Sequence, residues 1–459
     1  MVELDGVDHA LVMGLGRFGG GSGAARYLLD QGCRLVITDL QERRELADAV
    51  EALDQGPGAD RIEWRLGGHE ISDFRRTDLI VASPAIPRPW KNRFLASARE
   101  AGIPITTEIE LGLGRIDQTK LIGVTGSAGK STTCAMIHHV LNAAGKHCIL
   151  GGNIGGSLLE HPVEHLRSAD AVVVELSSFM LHWLADQERS FRPAVGVLTT
   201  LSANHLDWHD SLAHYLASKR VLRDSVPEGR FIAPLNPEDV AAVLVGDESV
   251  DGWWAVSDDD PFMATDARRS VLDELDLPLP GEHQRTNALN ALRAVATYLE
   301  GDPDRRVDVA KNLAKLLVDF KGLPHRLNPV AEIGGIRVID DSKATTPSAT
   351  LRAVHALGDT SRIHLIAGGF DKGSDLSELD ALGNRLAGLY AIGATAGSIS
   401  SGRQAHRCGT IDEAVRLAAT LMSSGDVLLL SPGCASWDQF DNYEHRGEVF
   451  LAAVIRYLD

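Results

Sequence analysis

The sequence predicts an α/β protein of three domains, each built on a parallel sheet. Two observations lead to this prediction. A chain of 459 residues exceeds what one hydrophobic core usually holds. Short apolar segments also alternate with segments of helical period almost throughout, and they fall into three runs. We place the domains at residues 1–112, 113–326 and 327–459.

Composition and charge argue against a nucleic-acid-binding, secreted or membrane-spanning protein. The chain has 44% hydrophobic and 24% charged residues, which is typical of globular domains, and its formal net charge of -18 argues against a nucleic-acid surface. The segment "MVELDGVDHALVMGLG" carries acids where a signal peptide needs a basic start, and no apolar run reaches about 18 residues. We therefore expect a cytoplasmic protein that neither binds nucleic acid nor spans a membrane.

The cysteines predict neither disulfides nor a zinc site. Their number is odd and no pair has CxxC spacing; they are Cys33, Cys134, Cys148, Cys408 and Cys434. We expect buried thiols.

The first run contains the strand candidates "HALVMGLG", "CRLVITD", "DLIVASPAIP" and "IPITTEIEL". The first strand leads into the glycine loop Gly14-Leu15-Gly16-Arg17-Phe18-Gly19, and Asp39 ends the second strand. This spacing is typical of a Rossmann-like dinucleotide site, where the loop binds pyrophosphate and the acid binds a ribose hydroxyl. Taken alone, the pattern fits a nicotinamide-dependent oxidoreductase, a protein that binds another nucleotide diphosphate, or a structural turn.

The second run contains "KLIGVTGS", "DAVVVELSS" and "AVGVLTTLSANHLD", and it carries a phosphate-binding loop. Val124 occupies the first glycine of the strict GxxxxGK[ST] pattern, so the match is to the shorter Gly126-Ser127-Ala128-Gly129-Lys130-Ser131. Glycines let backbone amides converge on phosphate oxygens, and the helix that follows presents its positive end. Lys130 would reach the β- and γ-phosphates, and Ser131 or Thr132 would reach magnesium. An ordinary strand-to-helix turn is the alternative.

Candidate metal ligands follow the neighbouring strands of this run. Glu175 ends "AVVVELSS", where a buried strand would deliver an acid to the phosphates. The stretch "SANHLDWH" offers His205 for a second cation or as a general base, while His209 fits a polar loop. Lys219 follows on a predicted helix, and from composition alone it is a solvated lysine.

The third run ends its strands in hydroxyls, acids and lysines. These are residues 340–345 of "IRVIDDSKATTP", residues 371–373 of "RIHLIAGGFDKG" and residues 431–436 of "DVLLLSPGCASWDQF". The carboxyl ends of parallel strands lie at one edge of a sheet, so these polar segments predict a site that binds a small carboxylate substrate. The alternative is the polarity that such loops ordinarily have.

Taken together, these motifs resemble the Mur ligase family over nearly the whole chain, and within it the MurD branch. The motifs occur in the family's order: "GVTGSAGKST", "GNIG", "ELSSF", "NHLD", "GEHQRTNALNA", "KGLPHR", "DDSKAT" and "LSPGCASWDQFDNYEHRG". The sequence departs from the family pattern at Ala128, Met180, Gln284 and Thr346. The resemblance implies a Rossmann-like N-terminal domain, a central P-loop ATPase-like parallel sheet and a Rossmann-like C-terminal domain.

The resemblance also implies an activity. It is the ATP-dependent addition of D-glutamate to UDP-N-acetylmuramoyl-L-alanine through an acyl phosphate, releasing ADP and phosphate in peptidoglycan precursor synthesis. We expect a monomer. The implied catalytic residues are Lys130, Glu175, His205 and Lys219. Two magnesium ions would be held by Ser131 and Glu175 and by His205 and Lys219, the lysine being carbamylated.

The implied binding residues form three sets. The ATP set comprises Gly126, Ser127, Gly129, Lys130, Ser131, Thr132, Asn287, Arg326 and Asp341. The UDP-substrate set comprises Gly14, Gly16, Arg17, Asp39, Ser83 and Asn153, which would turn the first glycine loop into a uridine-nucleotide site. The amino-acid set comprises Lys343, Thr345, Lys372, Ser436 and Tyr443.

Two alternatives stay open beside this hypothesis. One is a ligase of the same fold that uses another amino acid or another acceptor, such as a folate-type glutamate ligase, which would not need the first nucleotide-like domain. The other is a non-catalytic nucleotide-binding protein, against which the intact Lys130, Glu175, His205 and Lys219 argue.

Overall fold

The computed structural model describes residues 4–16, 19–185, 191–235, 240, 254 and 260–458. They form two compact units, the first being Met1–Leu275 with Asn287–Leu317 and the second being Asp276–Thr286 with Val318–Asp459. Two five-stranded sheets lie in the first unit and a six-stranded sheet lies in the second. The predicted class, three α/β domains on parallel sheets, is confirmed, whereas the boundaries after residues 112 and 326 stay predictions.

The first sheet is parallel, with strand order β3-β2-β1-β4-β5. Alternate side chains of β1 enter different cores: Ala10 and Val12 pack with helix α1, and Leu11 and Met13 pack on the side of Phe74 and Phe94. The strands are β1 His9–Met13, β2 Arg34–Asp39, β3 Ile62–Leu66, β4 Leu79–Ala82 and β5 Ile105–Thr106; the helices are α1 Gly20–Asp30, α2 Ala47–Asp54, α3 Arg93–Glu100 and α4 Glu108–Leu113.

The second sheet is also parallel, with strand order β10-β9-β6-β8-β7. Its strands are β6 Leu121–Thr125, β7 Cys148–Gly152, β8 Ala171–Glu175, β9 Val195–Leu198 and β10 Phe231–Ile232. The helices are α5 Lys130–Ala143, α6 Val163–Ser168, α7 Ser178–Leu184, α8 Leu206–His209, α9 Leu212–Ser225, α10 Thr265–Asp273, α11 Glu282–Leu299 and α12 Arg306–Ala314. Every residue of β6, β8 and β9 is buried, which explains their unbroken apolar runs.

The third sheet has strand order β11-β12-β16-β13-β14-β15 and one antiparallel pair, β11 with β12. Gly334 and Gly335 join that pair with φ of 58° and 80°, which is the backbone that a tight hairpin requires. Its strands are β11 Asn328–Ile333, β12 Ile336–Asp340, β13 Ile363–Gly368, β14 Gly388–Ile392, β15 Ala405–Gly409 and β16 Val427–Leu430; the helices are α13 Pro347–Leu357, α14 Ser377–Leu382, α15 Ile411–Leu421 and α16 Tyr443–Leu458.

The cysteines are free thiols, as predicted. Four of them are buried, whereas Cys408 on the edge strand β15 is partly exposed, so the expectation of burial is wrong at that position. Within the described residues, none of the helices combines the length and the apolar character that crossing a membrane requires.

Candidate functional site

The phosphate-binding loop joins the central strand β6 to helix α5 in the first unit. Gly126 has φ of 150°, and a Cβ there would lie 2.0 Å from Oγ1 of Thr199. Gly129 has φ of 82°, and a Cβ there would lie 2.5 Å from Oδ1 of Asn287. Gly129 is also the N-cap of α5 and supplies no side-chain cap, so the first amides of the helix face the loop. The loop therefore has the backbone geometry that binds an anion.

Lys130 and Ser127 are both engaged within this loop. Nζ of Lys130 donates to the carbonyl oxygens of Gly126 and Ser127, at 2.9 Å and 3.4 Å. Oγ of Ser127 donates to the Ser202 carbonyl at 2.9 Å and lies 2.7 Å from the hydroxyl of Tyr215. Ser127 thus fixes the loop against the segment after β9, and Lys130 lies where phosphate oxygens would meet the loop.

Glu175 ends β8, the strand beside β6, and is 1% exposed. Its Oε1 accepts a hydrogen bond from Nδ2 of Asn153 at 2.9 Å. Its Oε2 is buried and has no hydrogen-bond partner among the described residues. A buried carboxylate oxygen without a donor is costly unless a cation meets it, so this atom fits a metal ion. Ser131, 5% exposed at the start of α5, has the hydroxyl that the resemblance assigns to the same ion.

Lys219 lies on α9 and is 1% exposed, so its assignment to a solvated face is wrong. Its Nζ donates to Oγ1 of Thr125 at 3.2 Å and to the carbonyl of Gly126 at 2.9 Å, and it lies 4.9 Å from the ring centroid of Tyr215. Burial is the main cause that lowers the pKa of Lys219 well below its usual value, and Lys130 lowers it further against an opposing effect of Glu175. An uncharged amine is therefore favoured beside the phosphate-binding loop.

The segment after β9 brings His205 to the same edge of the sheet. His205 has φ of 53°, and its ring and that of Phe179 lie in a T-shaped arrangement with centroids 4.9 Å apart. Burial, Lys130 and Lys219 lower the pKa of His205, while Asp207 raises it, and a neutral imidazole is the form that binds metals. Its carbonyl accepts the amide of His209 at 3.0 Å.

His209 is fully buried, which contradicts its assignment to a polar loop. Its Nε2 lies 2.9 Å from Oγ of Ser178, and its Nδ1 lies 2.9 Å from Nδ1 of His214. Burial, with neighbouring imidazoles, lowers the pKa of His209 to about 3. His209 therefore anchors α8, the short helix that His205 precedes, to the start of α7.

The first glycine loop packs against strand ends of the first sheet. Gly14 has φ of 87°, and a Cβ there would lie 2.9 Å from Cβ of Ser83. Asp39 is 8% exposed; its Oδ2 accepts the amide of Gly16 at 3.2 Å, and its Oδ1 accepts the amide of Gln41 at 2.9 Å. Asp39 thus fixes the loop. Arg17, which the sequence places in the same site, lies outside the described residues.

In the second unit, the predicted substrate-binding residues of the C-terminal part of the chain follow three adjacent strands, β12, β16 and β13. Asp341 follows β12; its Oδ1 accepts the amide of Leu327 at 3.0 Å, and its Oδ2 accepts Oγ of Ser431 at 2.7 Å. Burial raises the pKa of Asp341 to about 7, against smaller opposing effects that include Arg326. Asp341 therefore joins the segment that contains Arg326 and Leu327 to the end of β16.

Lys343 and Tyr443 meet in the same unit. Nζ of Lys343 lies 3.4 Å from the ring centroid of Tyr443, within the range of a cation–π contact. The Tyr443 carbonyl accepts Oγ of Ser342 at 2.8 Å, which joins the start of α16 to the segment after β12. Thr345 is half-buried in that segment, and Ser436 is 3% exposed in the segment after β16.

Comparison with known proteins decides the family. Three family models match the chain: the Mur ligase MurD-like N-terminal domain over residues 8–107, the Mur ligase middle domain over residues 124–295, and the Mur ligase glutamate ligase domain over residues 325–434. A protein of Acidobacterium capsulatum named UDP-N-acetylmuramoylalanine–D-glutamate ligase is 35% identical, over 99% of this chain and 97% of that protein. A protein of the same name from Chromobacterium violaceum is 36% identical, over 97% of both chains.

This chain belongs to the Mur ligase family. The solved structure of the UDP-N-acetylmuramate-alanine ligase MurC from Thermotoga maritima shares its fold, with a TM-score of 0.56, 18% identity and coverage of 98% of this chain and 99% of that one. The resemblance inferred from the motifs is confirmed.

The Mur ligase motifs fall at three places in the fold. The first unit brings together Lys130, Glu175 and Lys219: both lysines donate to the carbonyl of Gly126, and Glu175 ends the strand beside β6. Asn287 lies at Gly129 of the same loop. The N-terminal glycine loop, with Asp39 and Ser83, is a second place, on the first sheet. The third is in the second unit, which holds Arg326, Asp341 and the amino-acid set.

One residue and one contact of this Mur ligase site are missing from the sequence-based assignment. Tyr215 joins Ser127 to the region of Lys219, and its spacing of four residues before Lys219 on one helix was the available signal. Asn153 is assigned to the UDP substrate by resemblance, but its hydrogen bond to the carboxylate of Glu175 is visible only in three dimensions.

Proposed function

We propose that this Mur ligase joins D-glutamate to UDP-N-acetylmuramoyl-L-alanine at the expense of ATP, in peptidoglycan precursor synthesis. Its end-to-end similarity to relatives named as D-glutamate ligases supports this specificity. The observation that carries the chemistry is the group formed by Lys130, the buried Glu175 and the buried Lys219 beside a phosphate-binding loop. Such a group serves transfer of a phosphoryl group between anions.

The reaction needs an activated carboxylate, because a carboxylate is a poor acceptor for an amine in water. An oxygen of the alanyl carboxylate attacks the γ-phosphorus of ATP, the bond to the bridging oxygen breaks, and ADP leaves. The amine of D-glutamate then attacks the acyl carbon and loses a proton, and phosphate leaves with the electron pair of its bond to carbon. Lys130 and the amides at the start of α5 would neutralise the charge that develops on the transferred group.

Two magnesium ions fit the donors of the first unit. Ser131 and the unpartnered Oε2 of Glu175 would hold one ion, and His205 with a carbamylated Lys219 would hold the other. When bound, these ions supply further neutralisation of phosphate charge. Carbamylation consumes the neutral amine that burial favours: Nζ of Lys219 attacks carbon dioxide, a nitrogen–carbon bond forms, and one proton leaves.

The remaining residues would bind the substrates. We assign the remaining ATP contacts to Gly126, Ser127, Gly129, Thr132, Asn287, Arg326 and Asp341. Gly14, Gly16, Arg17, Asp39, Ser83 and Asn153 would bind the UDP substrate, and Lys343, Thr345, Lys372, Ser436 and Tyr443 would bind the amino acid. One chain carries all of these residues, so we expect a monomer to suffice, and we expect it to work in the cytoplasm, where ATP is made.

Phosphate release from ATP tests this proposal. The purified chain is given ATP, Mg²⁺ and UDP-N-acetylmuramoyl-L-alanine, and D-Glu, L-Glu, D-Ala, L-Lys and diaminopimelate are added one at a time. We expect release only with D-Glu, with the matching amide detected by mass spectrometry. Release with another amine alone would overturn the specificity and keep the chemistry. Silence with every amine, together with retained ATP binding, would favour a non-catalytic protein.

A further inference from the structure

Two large aromatic side chains of the second unit lie exposed beside the amino-acid residues. Trp437 is 60% exposed and Phe370 is 40% exposed, and their ring centroids are 5.6 Å apart with planes inclined by 49°. Neither ring belongs to the hydrophobic cores of this unit. Leaving so much apolar surface in water forgoes burial energy, which points to a role other than packing.

The exposure of Trp437 does not come from a loosely held segment. The amide of Phe370 donates to the carbonyl of Ala435 at 2.9 Å. Oδ2 of Asp438 accepts the amide of Ala394 at 2.8 Å, and Nε2 of Gln439 donates to the carbonyl of Gly409 at 3.0 Å. Hydrogen bonds on both sides therefore fix the backbone that carries the indole ring.

The indole ring holds a lysine. Nζ of Lys372 lies 4.6 Å from the ring centroid of Trp437, a cation–π distance. In the part of the chain that the structure describes, no ion pair joins Lys372 to a carboxylate within 4 Å. A carboxylate would hold the ammonium equally well but would neutralise it. An aromatic face holds the cation and leaves its charge available.

A second cation strengthens the positive field at this position. Arg446 is fully buried, and its guanidinium donates to Oγ and the carbonyl of Ser342, at 3.0 Å and 2.7 Å, and to the carbonyl of Cys434, at 3.0 Å. All three acceptors are neutral. Burial and Arg446 lower the pKa of Lys372, against a smaller opposing effect of Cys434. The charge of Arg446 therefore disfavours the charged form of Lys372, and an incoming carboxylate would favour it.

We propose that Trp437 is a positioning residue that holds the ammonium of Lys372 in place, still charged, to bind a carboxylate of the amino-acid substrate. The role of Trp437 rests on the proposed function, because that function identifies the substrate as a dicarboxylate. Phe370 supports the indole from the side, and Arg446 keeps the site positive.

Steady-state kinetics test the proposal with two substitutions of one residue. Trp437→Leu keeps apolar bulk and removes the ring face, and Trp437→Phe keeps a face. We expect Trp437→Leu to raise the KM for D-glutamate about threefold to tenfold, with kcat and the KM for ATP within about twofold, and Trp437→Phe to restore most of the loss. Ile455→Ala, at another exposed apolar residue of this unit, serves as the control. An unchanged KM, or equal losses in the Leu and Phe variants, would overturn the proposal.

A second measurement does not depend on turnover. Lysines are reductively methylated with ¹³C, which keeps their charge, and the Lys372 methyl resonance is assigned by its loss in Lys372→Arg. We expect that resonance to be shifted upfield by the indole ring current, and the shift to vanish in Trp437→Leu and persist in part in Trp437→Phe. A resonance at the position of solvated lysines would overturn the positioning role. An upfield resonance with no D-glutamate turnover by the unsubstituted protein would keep that role and overturn the proposed function.

Discussion

At the scale of single residues, burial decides what the lysines of this Mur ligase do. Lys130 starts a helix and contacts loop carbonyls, whereas Lys219 is enclosed and favours an uncharged amine. The composition around Lys219 is that of a solvated helix face, because its neighbours along the chain are polar. Only the packing of α9 on β6 and β9 identifies it as buried, and no single sequence carries that information without the family resemblance.

Replacement of Lys219 tests the carbamate directly. We expect Lys219→Ala to lower kcat about a hundredfold or more, because under the proposed function the second metal ion would lose a ligand that carries negative charge. Added short carboxylates such as acetate should restore part of the activity, since they can occupy the place of the carbamate. The assay is phosphate release across a range of acetate concentrations, with chloride at equal ionic strength as the control. Absence of rescue at every concentration would count against the carbamate.

At the scale of elements, substitutions of the two glycines that flank α5 can distinguish the effect of backbone strain from the effect of a steric clash. Gly129 and Gly145 have φ of 82° and 79°, but a Cβ at Gly129 would meet Asn287 at 2.5 Å, whereas a Cβ at Gly145 would meet nothing within 4 Å. Alanine at either position therefore carries the same conformational cost, about 1 kcal/mol. Only Gly129→Ala also disturbs the phosphate-binding loop.

We expect Gly129→Ala to raise the KM for ATP about tenfold or more, because the loop amides can no longer converge on phosphate. Gly145→Ala should lower the free energy of unfolding by the conformational cost alone, about 1 kcal/mol, and leave the KM for ATP unchanged. Steady-state kinetics and urea unfolding on both variants make the comparison. Equal KM values in the two variants would show that strain alone, without the clash at Asn287, governs the loop.

Helix α4 begins with a buried acid that makes stability depend on pH. Glu108 is 8% exposed and hydrogen-bonded to Oγ of Ser157, and burial raises its pKa from 4.5 to about 7, with Glu160 adding to the rise. The folded state therefore binds a proton that the unfolded state releases, so the stability from this group is present below about pH 4.5 and is lost as the pH rises toward 7.

We expect Glu108→Gln to remove that dependence, because the amide stays neutral and its oxygen can accept the same bond. Relative to the unsubstituted protein, the variant should gain up to about 3 kcal/mol at pH 8 and almost nothing at pH 4.5. Urea unfolding followed at both pH values measures the difference. A gain of equal size at both would mean that packing, and not ionisation, is responsible.

The elements also mark how far sequence reasoning reaches. Central strands such as β1, β6 and β16 are predicted because burial on both faces requires unbroken apolar runs. Strands β3, β7, β10, β11 and β15 are not among the predicted strand candidates, and each lies at the edge of its sheet. Edge strands expose one side, so their composition is mixed: β15 reads AHRCG. Their pairing depends on neighbours that are distant in the chain.

At the scale of the whole molecule, the order of motifs was enough for the fold class and for the family, because eight motifs in a fixed order are specific even where each is weak. The assignments of Ser127 and Asp39 were less complete. Both were predicted from loop patterns, but their side chains also make hydrogen bonds that hold those loops. A pattern identifies the loop, and only coordinates distinguish the atoms that face a ligand from those that fix the backbone.

Stability of the whole chain should report ATP binding. A ligand that binds only the folded state adds about 2.7 kcal/mol at one hundred times its Kd, so Mg-ATP should raise the thermal midpoint of the transition that contains the phosphate-binding loop. We expect Lys130→Ala to lose most of that rise and to lower turnover about a hundredfold, because phosphate charge is no longer neutralised. Lys146→Ala, at an exposed lysine beyond the other end of α5, is the matched control. Calorimetry with and without nucleotide measures the rise, and a full rise in Lys130→Ala would contradict the assignment.

The hydrogen bond between Asn153 and Glu175 has a thermodynamic consequence. Under the proposed function, one oxygen of this carboxylate would hold a metal ion, and the other accepts a hydrogen bond from Asn153, whose side chain is assigned to the muramoyl substrate. A metal ion that moves the Glu175 carboxylate would therefore also move the side-chain amide of Asn153. In the same way, a substrate that binds the Asn153 amide would move the carboxylate. By reciprocity, the factor by which bound Mg-ATP alters the affinity for the acceptor must equal the factor by which the acceptor alters the affinity for Mg-ATP. Titration of the acceptor with and without Mg-ATP, and of Mg-ATP with and without the acceptor, should therefore give the same coupling factor.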